Sequence, residues 1–86
     1  MRKEIKILKA LANEKRLEIL KLLEGHNDLN VGEIAQQIHL HFKSTSKHLQ
    51  KLADAGLVER RRDGLFVSNR NSKLVARLLS TIRNFI

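Results

Sequence analysis

Residues 57–69, LVERRRDGLFVSN, are the one stretch of this chain that reads as extended, and this narrows the architecture more than any other feature. Two short runs flank Asp63-Gly64, and Asp-Gly between such runs signals a two-residue hairpin. Everything on either side carries a helical period, so the hairpin has no larger sheet to join. Ile5, Leu8, Leu11 and Ala12 recur at helical spacing and predict a first helix over about residues 3–11. Asn13 caps a second, about 14–24, in which Leu17, Ile19, Leu20, Leu22 and Leu23 fill an arc too wide for a surface helix. That helix belongs at the centre of the core. Asn30 and Glu33 have the spacing of a capping box and open a third helix with Val31, Ile34, Ala35 and Ile38 on one face. A fourth runs over about 42–54 and stops at Gly56. The last, about 72–86, carries Leu74, Val75, Leu78, Leu79, Ile82, Phe85 and Ile86 on a stripe, with Asn71 or Ser72 as its cap. The expected fold is mainly α with one small β-hairpin, in the order helix-helix-helix-helix-hairpin-helix. The 86 residues suit a single domain, 1–86, whose core is small enough that a partner covering more apolar surface is plausible.

The fourth helix has two unlike sides. At 100° per residue, Thr45, Leu49 and Leu52 fall together, and Lys43, Ser46, Lys47 and Gln50 fall opposite, with no acidic residue until Asp54. Leucines anchor such a helix, and the other side offers hydroxyls, an amide and ammoniums to a DNA major groove, whose width admits a helix. An ordinary solvated face would look similar. The context adds weight, because the third helix and a tight turn precede it as in a helix-turn-helix. Arg60, Arg61 and Arg62 follow on the first strand of the hairpin, placed to enter an adjacent minor groove. They also serve as a charged edge that keeps a two-stranded sheet from pairing with another chain.

Charge agrees with a polyanionic partner. The formal net charge is +8 and the sequence pI about 10.5. Three Phe and no Tyr or Trp argue against stacking recognition of single strands. There is no cysteine, hence no disulfide, thiolate metal site or thiol redox chemistry. The start, MRKEIKILKALANEKR, interrupts its basic residues with Glu4 and Glu14 and has no long apolar run, unlike a signal peptide. No stretch approaches the roughly 20 apolar residues of a membrane span. A cytoplasmic protein is the expectation. No nucleophile-base-orienter set, phosphate-cradling glycine loop or carboxylate pair is recognisable, so the chain reads as a non-enzyme without cofactor.

Taken together, LKALANEKRLEILKLL, LNVGEIAQQIHLHFKSTSKHLQKLADAGLVERRRDG and the closing amphipathic helix resemble the winged helix-turn-helix repressors of the ArsR type, over nearly the whole chain. Lys47, His48 and Leu49 stand at that family's basic-His-Leu step, and Arg16 and Leu17 at its Arg-Leu step. The resemblance implies a two-fold dimer paired through the first and last helices and bound to inverted-repeat operator DNA. It places Lys43, Ser44, Ser46 and Lys47 at groove-facing positions and Arg60, Arg61, Arg62 and Gly64 in the wing. Phe42, His48, Gln50 and Arg16 complete the candidate DNA-binding set.

Three departures stand out. His41 replaces the usual capping serine, and Phe42 stands where a polar side chain is usual; packing against the body is the simplest role for Phe42, and contact with a thymine methyl the alternative. Asn30 and Gly32 occupy the places of a metal-sensing cysteine pair. The last helix has no His, Asp or Glu for the other metal site of the family. His39 and His41, near Asp28 or His26, offer the one conceivable surface metal site, but their spacing matches no established ligand pattern; surface or capping histidines are the simpler reading, and no metal is expected. The function expected is sequence-specific binding of double-stranded DNA by a homodimeric transcriptional regulator, acting as a repressor by promoter occlusion. The alternative is a winged-helix protein-interaction module whose basic surface is incidental.

Overall fold

The computed structural model describes all 86 residues, Met1–Ile86. Its elements are α1 (Arg2–Leu11), α2 (Glu14–Gly25), α3 (Val31–Gln37), α4 (Phe42–Asp54), β1 (Val58–Arg60), β2 (Phe66–Ser68) and α5 (Asn71–Phe85). The order is the one the periodicities predict. α2 does run through the middle: Ile19 and Leu23 are fully buried, against Ile34 of α3, Leu49 and Leu52 of α4, and Leu57. Lys15 reaches from α2 to the end of α3 and donates to the Ile38 carbonyl at 2.7 Å.

Local chemistry sets the element ends. The Asn13 side chain accepts from the Arg16 N–H and starts α2. Asn30 and Glu33 form the full capping box at 2.8 and 2.9 Å and start α3. His41 makes no side-chain cap to α4; instead Thr45, wholly buried, donates its hydroxyl to the His41 carbonyl at 2.9 Å. At the other end, Gly56 takes a left-handed φ of 74°. The Leu57 N–H then bonds to the Leu52 carbonyl and the Gly56 N–H to that of Ala53, while Leu52 and Leu57 pack together in the core. This is a Schellman ending, which only a residue tolerant of positive φ completes without strain. It turns the chain sharply, so the hairpin follows directly from the end of α4.

Two sequence expectations are corrected. Asp63-Gly64 are not the two central residues of a two-residue turn. β1 and β2 pair antiparallel with Arg60 opposite Phe66, and the last strand-like bond runs from the Arg61 N–H to the Leu65 carbonyl. The loop is therefore Arg62-Asp63-Gly64, with the Gly64 N–H on the Arg61 carbonyl and Gly64 at φ 83° as the left-handed residue of a bulged three-residue turn. Nor do Asn71 or Ser72 cap α5. The Asn69 side chain accepts from the Asn71 N–H at 2.8 Å, and Asn71 instead donates to the Gly56 carbonyl at 3.2 Å, tying the start of α5 to the end of α4. The periodicity over the first helix holds, and α1 turns Ala10 and Leu11 inward while Ile5 and Leu8 stand in the open.

Candidate nucleic-acid interface

α4 presents the two sides its sequence describes. Thr45, Leu49 and Leu52 are at most 1% exposed and fix the helix to the core. Lys43, Ser46, Lys47 and Gln50 are exposed together on the opposite side, and Ser44 and His48 are half-buried at its flank. Gln50 is not wholly free: its amide nitrogen donates to Asp54 at 2.8 Å, one turn further on. Phe42 is 62% exposed at the head of the helix, so it does not pack against the body as the simplest reading had it. α3 packs across α4 through a turn at Ile38–His41, in which His39 holds a φ of 56° and the Leu40 N–H returns to the Ala35 carbonyl. The two helices and this turn form a helix-turn-helix with α4 in the recognition position.

The hairpin's arginines have three different situations. The Arg60 guanidinium lies 5.7 Å from the ring centroid of Phe66, its cross-strand partner, which is buried. Arg61 is held by two carboxylates, Asp63 at 3.0 Å in its own turn and Asp28 in the loop before α3. Arg62 is exposed at the tip with no partner. The Phe66 N–H also donates to the Leu29 carbonyl, so the turn end of the β1–β2 ladder is pinned to the α2–α3 loop by backbone as well as by charge. Of the three, Arg62 is the arginine left free to meet a phosphate or a minor groove. Asp28 as an anchor for the hairpin had no signal in the sequence, since it lies 33 residues from Arg61.

Arg16 is engaged inside the protein. Its Nε donates to the Ala10 carbonyl at 2.6 Å, one terminal nitrogen to the Lys9 carbonyl at 3.0 Å, and the other faces His48 Nδ1 at 3.3 Å. The first two close orphan carbonyls at the end of α1. Burial, then the positive charges of Arg16 and Lys51, hold the His48 pKa below its ordinary 6.5. The neutral ring can then accept from Arg16 at Nδ1. These two residues brace α1, α2 and α4 against each other. His26 bonds to the Leu22 carbonyl, and His39 and His41 are exposed at the α3–α4 turn. No three His, Cys, Asp or Glu side chains lie close enough to share a metal ion.

Residues 13–60 match the model of the bacterial regulatory protein arsR family. The transcriptional activator HlyU of Vibrio cholerae is 43% identical over 61 residues, covering 71% of this chain and 56% of that protein. The transcriptional repressor SdpR of Bacillus subtilis is 31% identical over 81 residues, covering 93% of this chain and 89% of that one. Among solved structures, the homodimeric winged helix-turn-helix DNA-binding domain of a possible ArsR-family regulator from Mycobacterium bovis superposes with a TM-score of 0.83 at 30% identity. That match covers 96% of this chain and 80% of the other.

Proposed function

The chain belongs to the arsR family of bacterial regulatory proteins, and from that premise we propose that it is a homodimeric transcriptional regulator that binds double-stranded DNA at an inverted-repeat operator. The observation that carries this reading is the exposed side of α4: Lys43, Ser46 and Lys47 stand clear of the body while the opposite side is locked into the core. In this reading α4 enters the major groove. Ser46 and Lys47 meet base edges, with Gln50 aligned by Asp54 beside them. Lys43, Ser44 and the N–H groups at the head of α4 meet phosphates. Phe42, exposed at that head, lies against a thymine methyl. Arg62 follows the backbone or the minor groove, with Gly64 shaping the tip and Arg60 and Arg61 holding it in place. Arg16 and His48 act from beneath, by fixing the helix.

Two-fold pairing through α1 and α5 completes the site. Met1 at the head of α1 with Ile5 and Leu8 on it, and Leu74, Leu78, Ile82 and Phe85 on α5 with Ile86 at its end, are large apolar side chains left in the open. Scattered exposed leucines are ordinary, but aligned stripes of this extent mark an interface. A dimer presents two α4 helices to successive major grooves about 34–36 Å apart. Repression follows from occupying the promoter and requires nothing beyond the bound dimer. SdpR carries the name of a repressor, whereas HlyU carries that of an activator, so the position of the operator relative to the promoter decides the sign. A cytoplasmic location fits contact with DNA, and no helix is long and apolar enough to cross a membrane.

Selection of bound sites from random duplex DNA, followed by gel shifts of the winner and a scrambled duplex at several salt concentrations, tests the reading. A palindromic winner bound more tightly than the scrambled duplex supports it. Absence of binding at every salt concentration contradicts it and favours a protein-interaction module built on the same apolar stripes.

A further inference from the structure

The ends of α1 and α4 enclose a second basic site, one turn beyond Lys47 and Gln50 at the C-terminal end of the exposed side of α4. A cavity of about 210 Å³ opens between them and is lined by Lys6, Lys9, Ala10, Arg16, Lys51 and Asp54. Four cations from three helices face one carboxylate. None of the lysines has an acidic partner: the ion pairs of the chain lie elsewhere, at Met1–Glu4, Lys15–Glu18 and around Arg61. Asp54 receives only the Gln50 amide.

Capping of α1 does not explain this convergence. Its last carbonyls are already met by Arg16, which also touches His48 and still keeps two of its five N–H groups free. Lys6 and Lys51 are surplus to that task, and like charges gathered around one concavity repel each other unless an anion sits among them. The lowered His48 pKa, caused in part by Arg16 and Lys51, reports the same positive field from the neighbouring side. The volume is small for a drug-sized organic ligand and suits a compact, highly charged group.

We propose that this cavity is a binding site for a phosphate group, held by Lys6 and Lys9 from α1, Lys51 from α4 and the free N–H groups of Arg16. A phosphate there joins the end of the recognition helix to α1. At 100° per residue, Lys6 lies about 100–160° around α1 from Ile5, Met1 and Leu8, whereas Lys9 is about 40° from Ile5, so the cavity borders the apolar stripe on its Lys9 side. The site stands independently of the operator reading, because an anion can be titrated with no DNA present. Two sources supply the same chemistry: a free phosphate-bearing small molecule, or a backbone phosphate of DNA flanking the groove that α4 enters.

The test is an amide-shift titration of the full chain with inorganic phosphate, replacing chloride at constant ionic strength. Saturable shifts confined to residues around Lys6, Lys9, Lys51 and Asp54 are expected. The double variant Lys6→Gln/Lys51→Gln should bind phosphate about tenfold or more weakly, while Lys21→Gln, a change at an exposed lysine elsewhere, should bind as the parent does. Duplex affinity of the double variant then separates the sources. A uniform loss across sequences points to the DNA backbone, and an unchanged affinity points to a free ligand. Non-saturating shifts spread over all basic surfaces, or equal phosphate binding by the double variant, overturn the site.

Discussion

Arg16 on α2 and His48 on α4 meet 3.3 Å apart, guanidinium to imidazole Nδ1, and the same guanidinium holds the carbonyls of Lys9 and Ala10 at the end of α1. One side chain thereby fixes three helices, one of which carries the groove-facing residues. Arg16→Ala leaves two carbonyls and a half-buried ring nitrogen short of a donor. It should lower unfolding free energy by about 1–3 kcal/mol, the cost of leaving a buried polar group without its partner. Urea unfolding checks this, and DNA affinity should fall with no change in which duplex is preferred.

The same pair sets a pH dependence. The folded pKa of His48 lies below the unfolded 6.5, so the native state favours the neutral ring. The stability this supports is complete above pH 6.5 and is lost as pH falls through that value and then through the lower folded pKa. Between about pH 7.5 and pH 5.5, the urea midpoint of the parent should fall more than that of His48→Gln, which cannot titrate. Equal losses would mean that the other histidines carry the effect.

The hairpin arginines should separate by experiment. Arg62→Ala removes an unpartnered tip charge and should flatten the log–log salt dependence of DNA binding by about 0.9 with stability unchanged. Arg61→Ala instead frees Asp28 and Asp63. Exposed pairs contribute only about 0.2–1 kcal/mol each, so the main sign should be faster amide exchange at Leu65 and Phe66.

The apolar stripes predict an oligomeric state. At micromolar concentration the parent should sediment as a dimer, and Leu78→Lys should sediment as a monomer with its helical circular dichroism intact. Leu78 is exposed in the single chain, so the change removes an intermolecular contact rather than a core one. A monomeric parent would remove the paired half-site geometry.

What the sequence makes legible here is what short-range chemistry fixes. The bounds of α4, the Asn13 cap, the Asn30–Glu33 box and the Gly56 stop are each set within a few residues, and all stand in the fold. The two sides of α4 follow from its period alone. The hairpin was legible but its turn was not, because a left-handed glycine suits a bulged three-residue loop as well as a two-residue one. Neither Asn71 nor Ser72 caps α5, whose N-cap is Arg70 without a side-chain bond, and the Asn71 side chain instead finds the Gly56 carbonyl, a partner 15 residues away. The same reason hid the duties of Arg16, Arg61 and Asp28, whose partners are set by tertiary packing. Phe42 reads as a core residue by type, yet its place on the first turn of α4 leaves it in the open.

The most direct test of the central claim is the ratio of affinities for the selected duplex and a scrambled one, measured at a fixed salt concentration for the parent, Ser46→Ala and Lys47→Ala. If these side chains read base edges, each loss should cut the ratio by about five- to a hundredfold, the equivalent of about 1–3 kcal/mol per lost contact. A ratio unchanged in both variants would contradict the placement of α4 in the groove.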